Sequence, residues 1–189
     1  NCSLNTSHRY IRTYYARMYE AKFLMGAIAG AMAENGQLAY IADYPIFGTI
    51  ANINAFALGA KMVNPRAQIY LEWSTLKDVD LGIAMDNVIK KGVTVVSGRD
   101  MVIPEDASRY FGLYHIEKEG PRNLAMPLWH WGKFYEQLIR TIMDGTWKYD
   151  DNKDETKAIN YWWGLSAEVI DVIYSQNLPI GTQIGRAHV

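Results

Sequence analysis

Cysteine is almost absent from this chain: Cys2 is the only one in 189 residues. A single thiol closes no internal disulfide, and with no CxxC or histidine partner at metal-ligand spacing it reads as a small buried hydrophobe. Charge of one sign is equally scarce. Lys and Arg number 19 against 20 acidic residues, the formal net charge is −1, and no basic run exceeds two residues. That excludes the broad cationic surface a nucleic acid or an anionic membrane would need. The longest apolar run, "FLMGAIAGAMA" from Phe23 to Ala33, is about half of the roughly 18 residues a membrane-spanning helix requires. It reads as a buried helix whose Gly26 and Gly30 allow close packing on a sheet rather than membrane dimerisation. Local catalytic signatures are missing too. There is no GxGxxG, GxxxxGK[ST], GxSxG or HExxH, and His8, His115 and His130 show no metal-site spacing. Asp43 and Asp100 could act as an acid and base or could accept ligand hydrogens, but no nucleophile accompanies them. The expectation is a binding protein and not an enzyme, with no cofactor and no metal.

What is present is a globular composition, 49% hydrophobic and 21% charged, long enough for a substantial core. The hydrophobic period alternates along it. "QLAYIA" (37–42) predicts a strand, and 48–62 a helix with Ile50, Ile53, Ala57 and Leu58 on its inner stripe. "QIYLEW" (68–73) predicts a strand, Asp80 to Lys91 a helix with Leu81, Ala84, Met85 and Val88 inward, and "VTVVS" (93–97) a buried strand. Residues 110–113 and 123–126 are short extended candidates. Trp131 to Met143 predicts a helix with Tyr135, Leu138 and Ile142 on one face. The polar stretch 149–157 reads as an exposed loop. Strand and helix in alternation predict an α/β fold, a parallel sheet with helices on both faces.

In such sheets ligands sit beyond the carboxyl ends of the strands. The segments there supply aromatic rings for area and a few polar groups for orientation, the make-up of a small-molecule site. The candidate ligand-binding residues are Asp43, Tyr44, Phe47, Asn52, Arg99, Asp100, Tyr114, His115 and Trp129. In "PLWHWGKFY" (127–135), Trp129 precedes the helix and is assigned to ligand, whereas Trp131 begins the helical stripe and is assigned to the core.

Several separate blocks carry a family resemblance. "YYARMYEAKFLMGAIAGAMAENGQLAYIADYP", "INAFALGAKMVNP", "LWHWGKFY", "DGTWK" and "YWWGLSAEVIDV" occur in order, and together they resemble the basic membrane protein (BMP) family of ABC-transporter substrate-binding lipoproteins. The resemblance implies a type I periplasmic-binding-protein fold with an incomplete first lobe. Residues 1–36 would end that lobe, 37–125 would form the second lobe, and 126–183 the returning crossover segment and helix. It further implies an extracytoplasmic, lipid-anchored protein that binds a small ring-containing ligand, nucleoside-like or otherwise aromatic, and delivers it to an ABC permease. A ligand-sensing regulatory domain of the same fold is the alternative. Nucleoside-binding members carry an acidic pair where this chain reads "GLYHIE" (112–117), and a basic residue where Trp129 stands, which favours a more aromatic ligand or a different orientation. Contact with the membrane is expected only through a lipid anchor upstream of Asn1. Residues 184–189, "IGRAHV", back-translate to a common sequencing adapter and are expected to be no part of the natural chain.

Overall fold

The computed structural model describes residues 13–75, 80–99, 110–145, 161–176 and 178–179. Cys2, Asp100, the polar stretch 149–157 and the tail 184–189 lie outside them. In chain order the elements are β1 (Tyr14–Ala16), α1 (Met18–Met32), β2 (Gln37–Ala42), α2 (Phe47–Val63), β3 (Gln68–Trp73), α3 (Leu81–Lys90) and β4 (Val95–Ser97). These are followed by β5 (Leu113–Glu117), β6 (Gly120–Trp129), α4 (Trp131–Met143), β7 (Tyr161–Trp163) and β8 (Ile170–Tyr174).

Six strands form one sheet in the order β3-β2-β4-β5-β6-β8, and β1 pairs with β7 in a parallel two-stranded ribbon. β2 lies parallel to both β3 and β4. Beyond β4 the sheet departs from the expected parallel pattern, because β5 runs antiparallel to β4 and β6 antiparallel to β5. The local reason is the tight turn through Lys118 and Glu119, with Glu117 opposite Gly120. Two residues can join antiparallel neighbours, whereas a parallel pair needs a crossover.

Both faces of the parallel half are covered, and the alternation along β2 shows how. Ala39 and Ile41 pack with Ala84 and Val88 of α3, together with Val93, Val96 and Tyr114. Tyr40, on the opposite face, meets Phe56 of α2 edge-on with ring centroids 5.4 Å apart. A strand buried on both sides reads as continuous apolar sequence, which is why Leu38 to Ala42 are all buried. Helix α3 presents the expected face, with Ala84 and Val88 buried and Leu81 and Met85 packed against them. Asp80 caps it, its carboxylate accepting from the Ile83 N–H at 2.8 Å.

Helix α2 buries a different face from the expected one. Phe56, Gly59 and Ala60 are inside, while Ile50 and Leu58 are exposed. The cause is a close helix–helix approach. A Cβ added at Gly59 would sit 2.0 Å from the Phe23 carbonyl oxygen of α1, and one at Gly26 would sit 2.1 Å from the Phe56 carbonyl oxygen of α2. The glycine pair therefore serves packing between helices α1 and α2, and no helix among the described residues is long and apolar enough to cross a membrane.

The chain divides into two compact units: residues 1–18 with 128–171, and residues 19–127 with 172–189. In the first unit an aromatic cluster surrounds Phe134, whose ring lies 4.7 Å from Tyr14, 6.2 Å from Trp131 and 5.4 Å from Trp163. Phe134 is the buried residue of α4, and the expected inner residues Tyr135 and Ile142 are exposed.

Candidate functional site

Because β2, β3 and β4 are parallel, their carboxyl ends share one edge of the sheet, and the chain leaving each end meets at Asp43. From β3, the Ser74 hydroxyl donates to Asp43 Oδ1 at 2.8 Å, and the Thr75 hydroxyl donates to the Asp43 carbonyl oxygen. From β4, Arg99 Nε stands 3.4 Å from the same Oδ1 as an ion pair without hydrogen-bond alignment. Three strand ends thus fix one carboxylate, with the Asp43 side chain 45% and the Arg99 side chain 38% exposed. A carboxylate so held is an oriented acceptor for hydroxyl or amine hydrogens.

The same loop carries Tyr44 and leads into Phe47 at the start of α2, and the two are 60% and 55% exposed. Part-exposed large rings beside a fixed polar pair match the composition of a stacking subsite. Phe47 begins α2, and Ile46 at its N-cap supplies no side-chain acceptor. Asn52 follows in the second turn. It is half-buried, and its Oδ1 is buried with no hydrogen-bond partner among the described residues.

The remaining candidates separate from this group. Tyr114 belongs to the core: it is fully buried, its hydroxyl donates to Met85 Sδ at 3.1 Å, and burial pushes its phenol well above the ordinary value, with Tyr110 adding to the shift. Its place beside Val96 puts it on the α3 face of the sheet, away from solvent. His115, the next residue, has its Nδ1 3.6 Å from Glu117, whose carboxylate also pairs with Arg122 at 2.7 Å. Trp129 ends β6 in the other unit and is half-buried. Trp131 packs edge-on to Tyr14 at 5.6 Å, as a fold-bearing ring does.

Sequence reasoning passed over three residues. Ser74 and Thr75 directly follow β3, and two small hydroxyl residues after a strand carry no signal of their own in the sequence. Lys22 stands one residue before the apolar run that begins at Phe23. Yet it lies on the α1 stripe of Met18, Met25 and Ala29, and it is fully buried. Its Nζ donates to Ser97 Oγ at 3.2 Å and sits 5.0 Å from the centre of the Tyr40 ring. A serine beside a lysine can be an activated nucleophile, but Ser97 is itself fully buried and no substrate reaches it.

Residues 6–104, more than half of the chain, match the family model described as Bmp, ABC transporter substrate-binding protein PnrA-like. The chain belongs to this family. Among curated proteins it is 27% identical over 179 residues to a purine-binding protein of Brucella abortus, covering 88% of this chain and 48% of that one. It is 29% identical over 166 residues to a candidate ABC-transporter glucose-binding protein of Haloferax volcanii, covering 82% of this chain and 40% of that one. The chain therefore spans about half the length of the curated relatives it matches. Among solved structures it resembles an ABC-transporter solute-binding protein of Conexibacter woesei, with a TM-score of 0.55 at 13% identity, over 92% of this chain and 60% of that one. A transcriptional activator of the comK gene from Bacillus halodurans matches with a TM-score of 0.58 at 12% identity, over 94% and 62%. These structural likenesses show the fold, the α/β arrangement of type I periplasmic-binding proteins. Members of the Bmp family are substrate-binding proteins, not enzymes.

Proposed function

We propose that this Bmp-family chain forms part of an extracytoplasmic, lipid-anchored solute-binding protein that takes up a small ring-containing ligand and presents it to an ABC permease. The observation that carries the reading is the meeting of three parallel strand ends at Asp43, with Arg99 opposite and the exposed rings of Tyr44 on the same loop and of Phe47 at the start of α2. Ring stacking on Tyr44 or Phe47 would supply area, and Asp43 with Arg99 would fix orientation through hydroxyl, amine or carbonyl groups. Asn52 with its unpaired carbonyl oxygen supplies a further acceptor. The names of the two curated relatives, one purine-binding and one glucose-binding, make a nucleoside and a hexose the first probes. The fold by itself does not separate transport from ligand sensing, since one solved relative is named a transcriptional activator. The family match favours transport.

The test is an NMR titration of the chain with adenosine, guanosine and glucose, which also reads millimolar binding. A ligand of the proposed class moves the amide signals of Asp43, Tyr44, Phe47 and Arg99. Asp43→Ala weakens that binding by about 1.5 to 3 kcal/mol, the scale of a hydrogen bond to a charged group. A folded chain whose strand-end signals ignore all three probes would sink the proposal.

A further inference from the structure

Lys22 is the feature that neither the family assignment nor the composition of the site explains. Every other described lysine is exposed, whereas this one is fully buried in the second turn of α1. Burying an ammonium is unfavourable unless it is well paired, and an apolar residue of similar length, such as methionine, would fill the same space without that cost. Packing alone is therefore no reason for a lysine here. What lysine does that methionine cannot is donate to Ser97 and hold a charge over Tyr40. Those two residues are directly opposed register partners on adjacent strands, Tyr40 on β2 and Ser97 on β4. Asp43 follows Tyr40 by three residues and Arg99 follows Ser97 by two. One buried cation thus touches both strands just behind the point where their two loops form the Asp43–Arg99 pair.

We propose that Lys22 is a positioning residue for the strand-end site. Through Ser97 and the Tyr40 ring it clamps β2 and β4 in register, and so sets where Arg99 leaves the sheet relative to Asp43. The backbone beyond Ser97 depends on the same point: the Gly98 N–H donates to the Gly112 carbonyl and the Gly112 N–H to the Arg99 carbonyl, both at 2.8 Å. Gly112 itself is held at φ 62°, where a Cβ would lie 2.5 Å from the Ala125 carbonyl oxygen, so this corner has little freedom to adjust on its own. The proposal rests on the reading of Asp43 and Arg99 as ligand-facing, and its test uses no ligand, so each can fail alone.

The experiment compares the chain with Lys22→Met, Lys22→Arg and Ser97→Ala, reading thermal unfolding, the Arg99 Nε–Hε signal and amide hydrogen exchange. In Lys22→Met and Ser97→Ala the Gly98 and Gly112 amides exchange about tenfold faster and the Arg99 signal moves, while Val88 in α3 keeps its protection. Lys22→Arg, which keeps the cation, restores part of the effect. Lys22→Met and Ser97→Ala folding with unchanged Gly98, Gly112 and Arg99 signals would overturn the proposal and leave Lys22 as core. Should Lys22→Met not fold, Ser97→Ala decides alone: an unchanged corner overturns, a loosened one supports.

Discussion

Tyr114 is a phenol held where its anion could not be hydrated. The neutral form is favoured in the folded chain, so its pKa is raised, mainly by burial and secondarily by Tyr110. A raised acid contributes stability that is complete below the unfolded-state value of about 10 and is lost as pH climbs above it. The expected outcome is that Tyr114→Phe costs about 1 kcal/mol or less at pH 8, for one weak bond to sulfur. Above about pH 10 the wild-type chain then loses stability relative to the variant, as denaturant melts of both proteins across that window would record. Parity separates Tyr114 from its neighbour His115. Residues 114 and 115 point to opposite faces of the sheet, and the sequence around "GLYHIE" does not say which face is covered. Asp43 and Arg99 were legible because polar residues right after buried strands have few roles other than capping or binding. Ser74, Thr75 and Lys22 were not, since each takes its meaning from a partner 31, 32 or 75 positions away.

Strands β2 and β3 and helix α4 occupy the spans their periodicity predicts, because each has a strong repeat and a clear stop. Which side faces inward was less legible. In α2 the large side chains suggested the inner stripe, but the helix approaches α1 so closely that small residues go inside and Ile50 and Leu58 stay out. Hydrophobic periodicity ranks big residues first, and a glycine-mediated contact inverts that ranking. β6 was nearly hidden, since Pro121 and Pro127 lie within it and proline argues against a central strand. The close approach gives a direct test. Gly59→Ala must push α1 and α2 apart and should cost about 1 to 3 kcal/mol or more, the usual penalty of overpacking. Gly132→Ala in α4, where nothing lies within 4 Å of the added carbon, should be neutral or stabilising by up to about 1 kcal/mol. Urea denaturation of the two variants checks the contrast, and equal effects would mean that the helices adjust freely.

Over the whole molecule the two units differ in how much of their apolar surface they enclose. Among the described residues, 19–127 and 172–189 supply most of the larger sheet and three α-helices, whereas the other unit has a two-stranded ribbon and one α-helix. On that helix Tyr135, Ile139, Ile142 and Met143 are exposed. A small unit with an open apolar stripe should be the less stable. Trp129, Trp131, Trp162 and Trp163 belong to it, while Trp73 belongs to the larger unit. Tryptophan emission is therefore expected to change at lower denaturant than the far-ultraviolet circular dichroism signal. Coincident transitions would show a single cooperative unit instead. The order of strands has a consequence in time as well as in space. β4 is paired in parallel with β2 on one side and antiparallel with β5 on the other, so it joins two halves that assemble at different speeds. The β5–β6 hairpin closes through a two-residue turn and can form within microseconds, but the β2–β4 pairing must wait for a chain of more than fifty residues to loop back. A complete chain that refolds from denaturant therefore passes through an interval in which the hairpin exists and β4 has an unpaired edge, and in that interval the Asp43–Arg99 pair, which needs both strands, has yet to form.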